Sequence, residues 1–271
     1  MEKINSNNIS DLQKNQVVIS GCEVIWKKSE IEFGGSENIV YFAGGGAGSK
    51  IVLENTRIKC IGNHNIIFIN ETKYPLKVSI SVGHGCSVYL GKNFYSAATT
   101  RFIANETSNI YVGDMCLFAR DIWIRTSDMH LIYDIQSGHR INPNKDVLIC
   151  EHVWLGQNVT CLKGTIIGSG SIVGLGSLCN GDKTQRVNCI YTGQPAHLTK
   201  EGIFWLHKGS NSISEEEVRS GKFDYSKETG GIFPEDYDKW LLDEYQKRFV
   251  SYNMMERIDF FTNISQNGKL L

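Results

Sequence analysis

From Ile149 onward an apolar residue recurs at every sixth position: Ile149, Leu155, Cys161, Ile167, Val173 and Cys179. Two residues before each anchor stands a compact or β-branched residue: Val147, Val153, Val159, Thr165, Ser171 and Ser177. Glycine follows the anchor at Gly156, Gly168 and Gly174. A period of six fits neither an α-helix nor an uninterrupted strand. It fits a coil built from a short flat side, a corner and the next flat side. Three hexads close a triangular turn of about 18 residues, and successive turns stack by parallel β-pairing. The anchors then point into a narrow core. The glycines are expected at the corners, where they would supply a positive φ.

A shorter ladder lies upstream at Val112, Phe118 and Ile124, with weaker echoes at Ile61-Gly62, Val82-Gly83 and Leu90-Gly91. Earlier β-rich runs, such as Gln16–Ile19, Ile51–Leu53 and Ile66–Ile69, keep no six-fold register. Three segments are expected: irregular β-rich coils over 1–80, a regular coil core over 81–199, and an extension over 200–271. Thr126–Asp146 breaks the period and carries Asp128, His130, Asp134 and His139. A polar excursion from a repeat scaffold is where function concentrates. In the extension, Pro234-Glu235-Asp236 reads as a helix start, and Tyr237, Leu241, Tyr245 and Phe249 follow at i+4 spacing. That predicts an amphipathic helix over about 235–250, capping the coil end or packing on a neighbouring subunit.

Composition excludes several classes. A net charge of -1 argues against a broad nucleic-acid surface. No apolar stretch approaches the ~20 residues needed to span a bilayer, and the polar start shows no signal-peptide core. The eight cysteines form no C-x-x-C pair, which favours a reducing cytoplasm over a disulfide framework or a zinc site. No metal is expected.

Asp128-x-His130, Val153-Trp154-Leu155-Gly156-x-Asn158-Val159, Lys163-Gly164-x-x-Ile167-Gly168 and Gly193-x-Pro195-Ala196 together resemble the hexapeptide-repeat O-acetyltransferases. The nearest branch is the sugar acetyltransferases of bacterial capsule, lipopolysaccharide and exopolysaccharide loci. The resemblance covers about 110–200. It implies a mainly β fold, a left-handed parallel β-helix with an extruded active-site loop and a C-terminal helical extension. It also implies acetyl-CoA as donor, a sugar hydroxyl as acceptor, and a homotrimer with active sites between subunits.

On that resemblance His130 is the general base, and Asp128 is its closest acidic partner in sequence, with Asp121 and Asp134 as rivals. His139 and His152 are alternative bases. Trp154, Asp134 and His139 are expected near the acceptor. Gly156, Gly174, Leu175 and Asn180 fall at positions matching the family's CoA groove. Lys183 and Lys200, with Arg186, are expected near the CoA phosphates. The family's usual arginine after Pro-Ala-x is here replaced by Leu198-Thr199-Lys200, and its Lys-Asp after the last coil by Gly181-Asp182-Lys183. N-acetylation of an amino sugar is open to the same base. A γ-carbonic-anhydrase-like metal enzyme would need three converging histidines, and a non-catalytic β-solenoid would need no polar excursion.

Overall fold

A computed structural model describes residues 1–6, 9, 12–181, 184–209, 212–222, 232–247 and 249–267. Strand β1 (Glu2–Ile4) lies antiparallel against the first of seven stacked coils. The first coil holds β2 (Gln16–Ser20), β3 (Glu23–Lys27) and β4 (Glu30–Phe33). The second holds β5 (Ile39–Ala43), β6 (Lys50–Glu54) and β7 (Arg57–Cys60). The third holds β8 (Ile66–Asn70) and β9 (Val78–Val82), with a lone bridge at Leu76 as its middle side. The fourth and fifth hold β10 (Ser87–Leu90), β11 (Tyr95–Ser96) and β12 (Thr100–Ala104), then β13 (Asn109–Val112), β14 (Leu117–Phe118) and β15 (Trp123–Arg125). After the excursion come β16 (Val147–Ile149), β17 (Trp154–Leu155) and β18 (Thr160–Cys161), then β19 (Ile166–Ile167), β20 (Ile172–Val173) and β21 (Leu178–Cys179). The hairpin β22 (Ile190–Gly193) and β23 (Ala196–Lys200) closes the stack.

Three faces result, and the fold is a left-handed parallel β-helix. The first face is a seven-stranded parallel sheet from β2 to β19. The second begins as β3–β6 and resumes as β11-β14-β17-β20-β22-β23. The third runs from β1 and β4 through β7, β9, β12, β15 and β18 to β21. The early runs pair with these same sheets: Val17 faces Val40, which faces Ile67, which faces Val88. Their coils are longer than the step from Leu148 to Ile166, which is why a six-residue register does not reach them.

All six anchors from Ile149 to Cys179 are fully buried, as are Val112, Phe118 and Ile124. The column two residues earlier is buried too, and its hydroxyls satisfy backbone groups of neighbouring coils. Ser171 Oγ donates to the Arg186 carbonyl, and Ser177 Oγ accepts from the Gly193 amide.

The glycine column has a different cause from the one expected. Gly156, Gly168 and Gly174 do not have positive φ; the left-handed positions fall three residues after the first five anchors, at His152, Asn158, Gly164, Gly170 and Gly176. The post-anchor glycines are required because the next coil passes too close. A Cβ at Gly113 would lie 2.8 Å from backbone atoms of Cys150 and Glu151, and one at Gly168 would lie 2.5 Å from the Arg186 backbone. Since backbone cannot swing aside, Gly113→Ala is expected to destabilise by about 1–3 kcal/mol through overpacking. Urea unfolding would check this, and an unchanged midpoint would refute it.

The extension covers the outer side of the first face. Here Tyr41, Phe68, Tyr89 and Tyr111 stack in a ladder at 4.7, 5.6 and 4.9 Å between ring centroids. Helices α2 (Lys239–Lys247) and α3 (Met254–Asn267) lie against it, following the short exposed α1 (Glu215–Ser220). Leu241, Tyr245 and Phe249 are buried on this surface. The helix therefore packs on the flank of its own coil, and it starts later than the sequence suggests. Tertiary bonds hold the turns before it: Asp238 accepts from the Ser169 amide at 2.8 Å, and Tyr237 Oη donates to Glu151 at 2.5 Å. None of the described helices is long and apolar enough to cross a membrane.

Candidate active site

The excursion leaves the end of β15 on the third face and returns at β16 on the first. It therefore emerges at the corner between these faces, where Lys163 and Asn180 follow β18 and β21. It folds into a hairpin joined by a Tyr133–Arg140 bridge, with Ile141 N donating to the Ile132 carbonyl. Asp134 closes the tip by accepting from the Ser137 amide at 2.7 Å and the Gln136 amide at 3.1 Å. His139 sits at the same tip, exposed, and its carbonyl accepts from the Asp134 amide.

Asn142 is the hub of this hairpin and is almost wholly buried. Its Nδ2 donates to the His130 carbonyl at 2.8 Å and to Asp128 Oδ2 at 3.0 Å, and its Oδ1 accepts from the Ile132 amide. Asp128 Oδ2 also accepts from Lys163 Nζ at 2.5 Å. The hydrogen bonds from Lys163 and then Asn142 hold the Asp128 carboxyl below its usual range. Asp128 is thus bonded to Lys163 and Asn142, and no described acid bonds the His130 ring. The reason is stacking: Lys163, on the next coil at this corner, reaches the carboxylate. A second brace comes from Glu106, which accepts from Ser127 Oγ at 2.7 Å and pairs with Arg140 at 2.7 Å. These bonds fix the backbone on both sides of His130 while its side chain stays exposed.

His152 is placed differently. Its ring stacks on Trp205 at 4.0 Å, its Nε2 pairs with the Trp205 carbonyl, and burial lowers its pKa. It is therefore held apart from His130 and His139. Trp154 lies on the outer side of the second face, partly exposed, in register with Leu117 and Ile172 and 5.8 Å from Trp205. Gly156, Gly174 and the exposed Leu175 sit at the corner between second and third faces. Asn180 sits instead at the His130 corner, and Lys200 is exposed at the end of β23. Arg186 is ion-paired with Glu201. Lys183 lies outside the described residues. One chain thus places Asp128, His130 and Asn180 at one edge of the third face and Gly156, Gly174 and Leu175 at the opposite edge.

Sequence reasoning did not single out Asn142, Glu106, Arg140 or Trp205. Asn142-Pro143 within the excursion was the available signal for the first. The others depend on which coils become neighbours.

No family model matches the chain. It is 39% identical over 130 residues to a polysialic acid O-acetyltransferase of Neisseria meningitidis, covering 48% of this chain and 58% of that protein. It is 28% identical over 148 residues to a polysialic acid O-acetyltransferase of Escherichia coli O1:K1, covering 55% and 47%. The chain spans about half the length of these curated relatives. Among solved structures, the polySia-specific acetyltransferase NeuO aligns with a TM-score of 0.53 at 27% identity, over 77% of this chain and 97% of that one. The polysialic acid O-acetyltransferase OatWY aligns at 0.51 and 27%, over 77% and 99%. In sequence and in fold, the chain is similar to hexapeptide-repeat O-acetyltransferases.

Proposed function

We propose that this chain is an acetyl-CoA-dependent O-acetyltransferase acting on a sugar hydroxyl of a bacterial surface polysaccharide or its precursor. The observation that carries the reading is the long break in the coil ladder at 126–146. It presents an exposed imidazole on a hairpin braced by Asn142, Asp128 and Lys163. The O-acetyltransferase activity named for the relatives agrees with it.

His130 is the general base. A neutral imidazole accepts the hydroxyl proton as the oxygen attacks the thioester carbonyl. The tetrahedral intermediate then collapses, the C–S bond breaks, and the CoA sulfur leaves with the proton returned from the imidazolium. Asp128 is a positioning residue, acting through Asn142 on the backbone of His130. Trp154, Asp134 and His139 are assigned to the acceptor side. Gly156, Gly174, Leu175, Asn180 and Lys200, with Lys183, are assigned to acetyl-CoA. No metal takes part.

The separation of His130 from Gly156, Gly174 and Leu175, at opposite edges of the third face, supports a homotrimer in which His130 meets the donor held by a neighbouring copy. The cytoplasm, where acetyl-CoA is made, is the assigned location, and the eight unpaired cysteines agree with it. The test is a transfer screen against nucleotide sugars and oligosaccharides with mass detection of a gain of about 42 Da per acetyl group. Transfer that requires acetyl-CoA is expected. Absence of both transfer and acetyl-CoA binding would overturn the reading.

A further inference from the structure

The coils turn at three corners, and the homotrimer proposed above uses the two that border the third face. The remaining corner, between the first and second faces, is crossed by residues 203–208, which form neither helix nor strand. This segment bonds to a corner residue on each of three coils. The Ile203 amide donates to the Asn188 carbonyl at 3.0 Å, and His207 Nε2 donates to the Met115 carbonyl at 2.7 Å. Between them Trp205 and His152 are joined twice. The indole N–H donates to the His152 carbonyl and His152 Nε2 donates to the Trp205 carbonyl, each at 3.0 Å, while the two rings stack at 4.0 Å. Asn188, His152 and Met115 are all left-handed residues placed just ahead of a second-face strand. Trp205 is buried, and its ring lies 5.8 Å from Trp154, the aromatic assigned above to the acceptor side.

A carbonyl can only accept, so Nε2 carries the proton in both His152 and His207. An added proton therefore goes to Nδ1, and the hydrogen bonds survive it. What resists the charge is the site. The two rings lie 5.5 Å apart, His152 is buried and His207 half-buried. Burial lowers the pKa of both; the Trp205 and Met115 carbonyls oppose this, while the His207 charge adds to it at His152 and the Lys73 charge adds to it at His207. The acids of this corner bond to other groups. The Asp114 carboxylate accepts from the Lys92 amide, Glu151 accepts from Tyr237 Oη, and Asp238 accepts from the Ser169 amide. The remaining neighbours, Lys92 and Lys208, are cationic.

We propose that residues 203–208 are an acid-sensitive strap that positions Trp154 through Trp205 and releases it when His152 and His207 become charged. The sign follows from the lowered histidine pKa values. Unfolded imidazoles take protons near pH 6.5, so the strap is fully stabilised above about pH 6.5 and loses that stabilisation as pH falls below it. Released, Trp154 loses the wall that orients it. Its consequence for the acceptor rests on the transferase reading; the strap itself does not.

The test is fluorine NMR of the full chain carrying 5-fluorotryptophan at its five tryptophans, titrated from pH 8 to pH 5, with Trp154 and Trp205 assigned by Phe substitutions. Transfer rates alone would not serve, because an imidazole base is silenced by acid in any case. The Trp154 and Trp205 signals are expected to move together at one midpoint below about pH 6.5, while those of Trp26 and Trp240 stay in place. His207→Gln keeps a donor for the Met115 carbonyl but removes one titrating ring, so the steepness should fall from about two protons to about one. Trp205→Ala should put the Trp154 signal at its acid position even at pH 8. Unchanged acetyl-CoA binding shows that both variants fold. Independent or absent movement of the two signals, an unaltered transition in His207→Gln, or a Trp154 signal unmoved by Trp205→Ala would each overturn the proposal. A strap that opens in acid on a protein that transfers no acetyl group at any pH would keep the strap and sink the transferase reading.

Discussion

His130→Ala is expected to lower acetyl transfer by about 10²–10⁴-fold, the usual contribution of a general base, while the coils stay folded. The side chain is exposed, so its removal leaves no cavity. The hairpin is held by other groups: Asn142 reaches the carbonyl of His130, and that bond survives truncation of the ring. Asp128→Asn should cost much less. Its ion pair with Lys163 is partly solvated, with side-chain exposures of 20% and 40%, and such pairs contribute about 1 kcal/mol or less. Its effect on transfer would come from a looser hairpin. Circular dichroism and acetyl-CoA binding establish that both variants are folded; steady-state transfer then ranks them. Near-normal transfer by His130→Ala would remove the base from the mechanism. A loss in Asp128→Asn as large as in His130→Ala would mean that Asp128 acts on the imidazole directly in the working assembly.

The difference between these two residues shows what could be read from the chain. The ladder from Val147 to Cys179 was legible because every anchor obeys one local rule: each fills the same narrow core. The excursion was legible as the place where that rule lapses. The partner of Asp128 was not legible, because Lys163 comes within reach only when the coil after the excursion stacks beneath it. The same holds for His152, whose ring is taken by Trp205 from the far side of the hairpin β22–β23. The glycines were found by pattern, yet their reason was visible only in three dimensions: the constraint is the passing backbone of the next coil. The early coils kept the pairing rule and lost the spacing rule. Longer turns, such as the one holding Gly44, Gly45 and Gly46, change the period without changing the sheets.

Phe249→Ala is expected to remove about 3–5 kcal/mol from the docking of the C-terminal helices. Phe249 is fully buried. Its ring lies 4.8 Å from Tyr245, 5.1 Å from Phe260 and 5.1 Å from Phe261, with the Arg257 guanidinium 5.3 Å away. It therefore joins α2 to α3, while Phe261 joins α3 to the aromatic ladder through Phe68 and Tyr89. A coil stack is held rung to rung, so losing one flank need not melt it. The expected result is local: amides of α2 and α3 exchange faster with deuterium, and those of β13 and β16 stay protected. The loosening should reach the excursion through the junction at Asp146. Tyr245 Oη donates at 2.9 Å to Asp146, the residue where the excursion rejoins the ladder. Asp146 also accepts from the Asn109 amide at 2.7 Å, so the junction is weakened without being released. Faster exchange confined to the helices and the 126–146 segment is the signature of this arrangement. Uniform loss of protection across all seven coils would show instead that the helical layer and the β-helix fold as one unit.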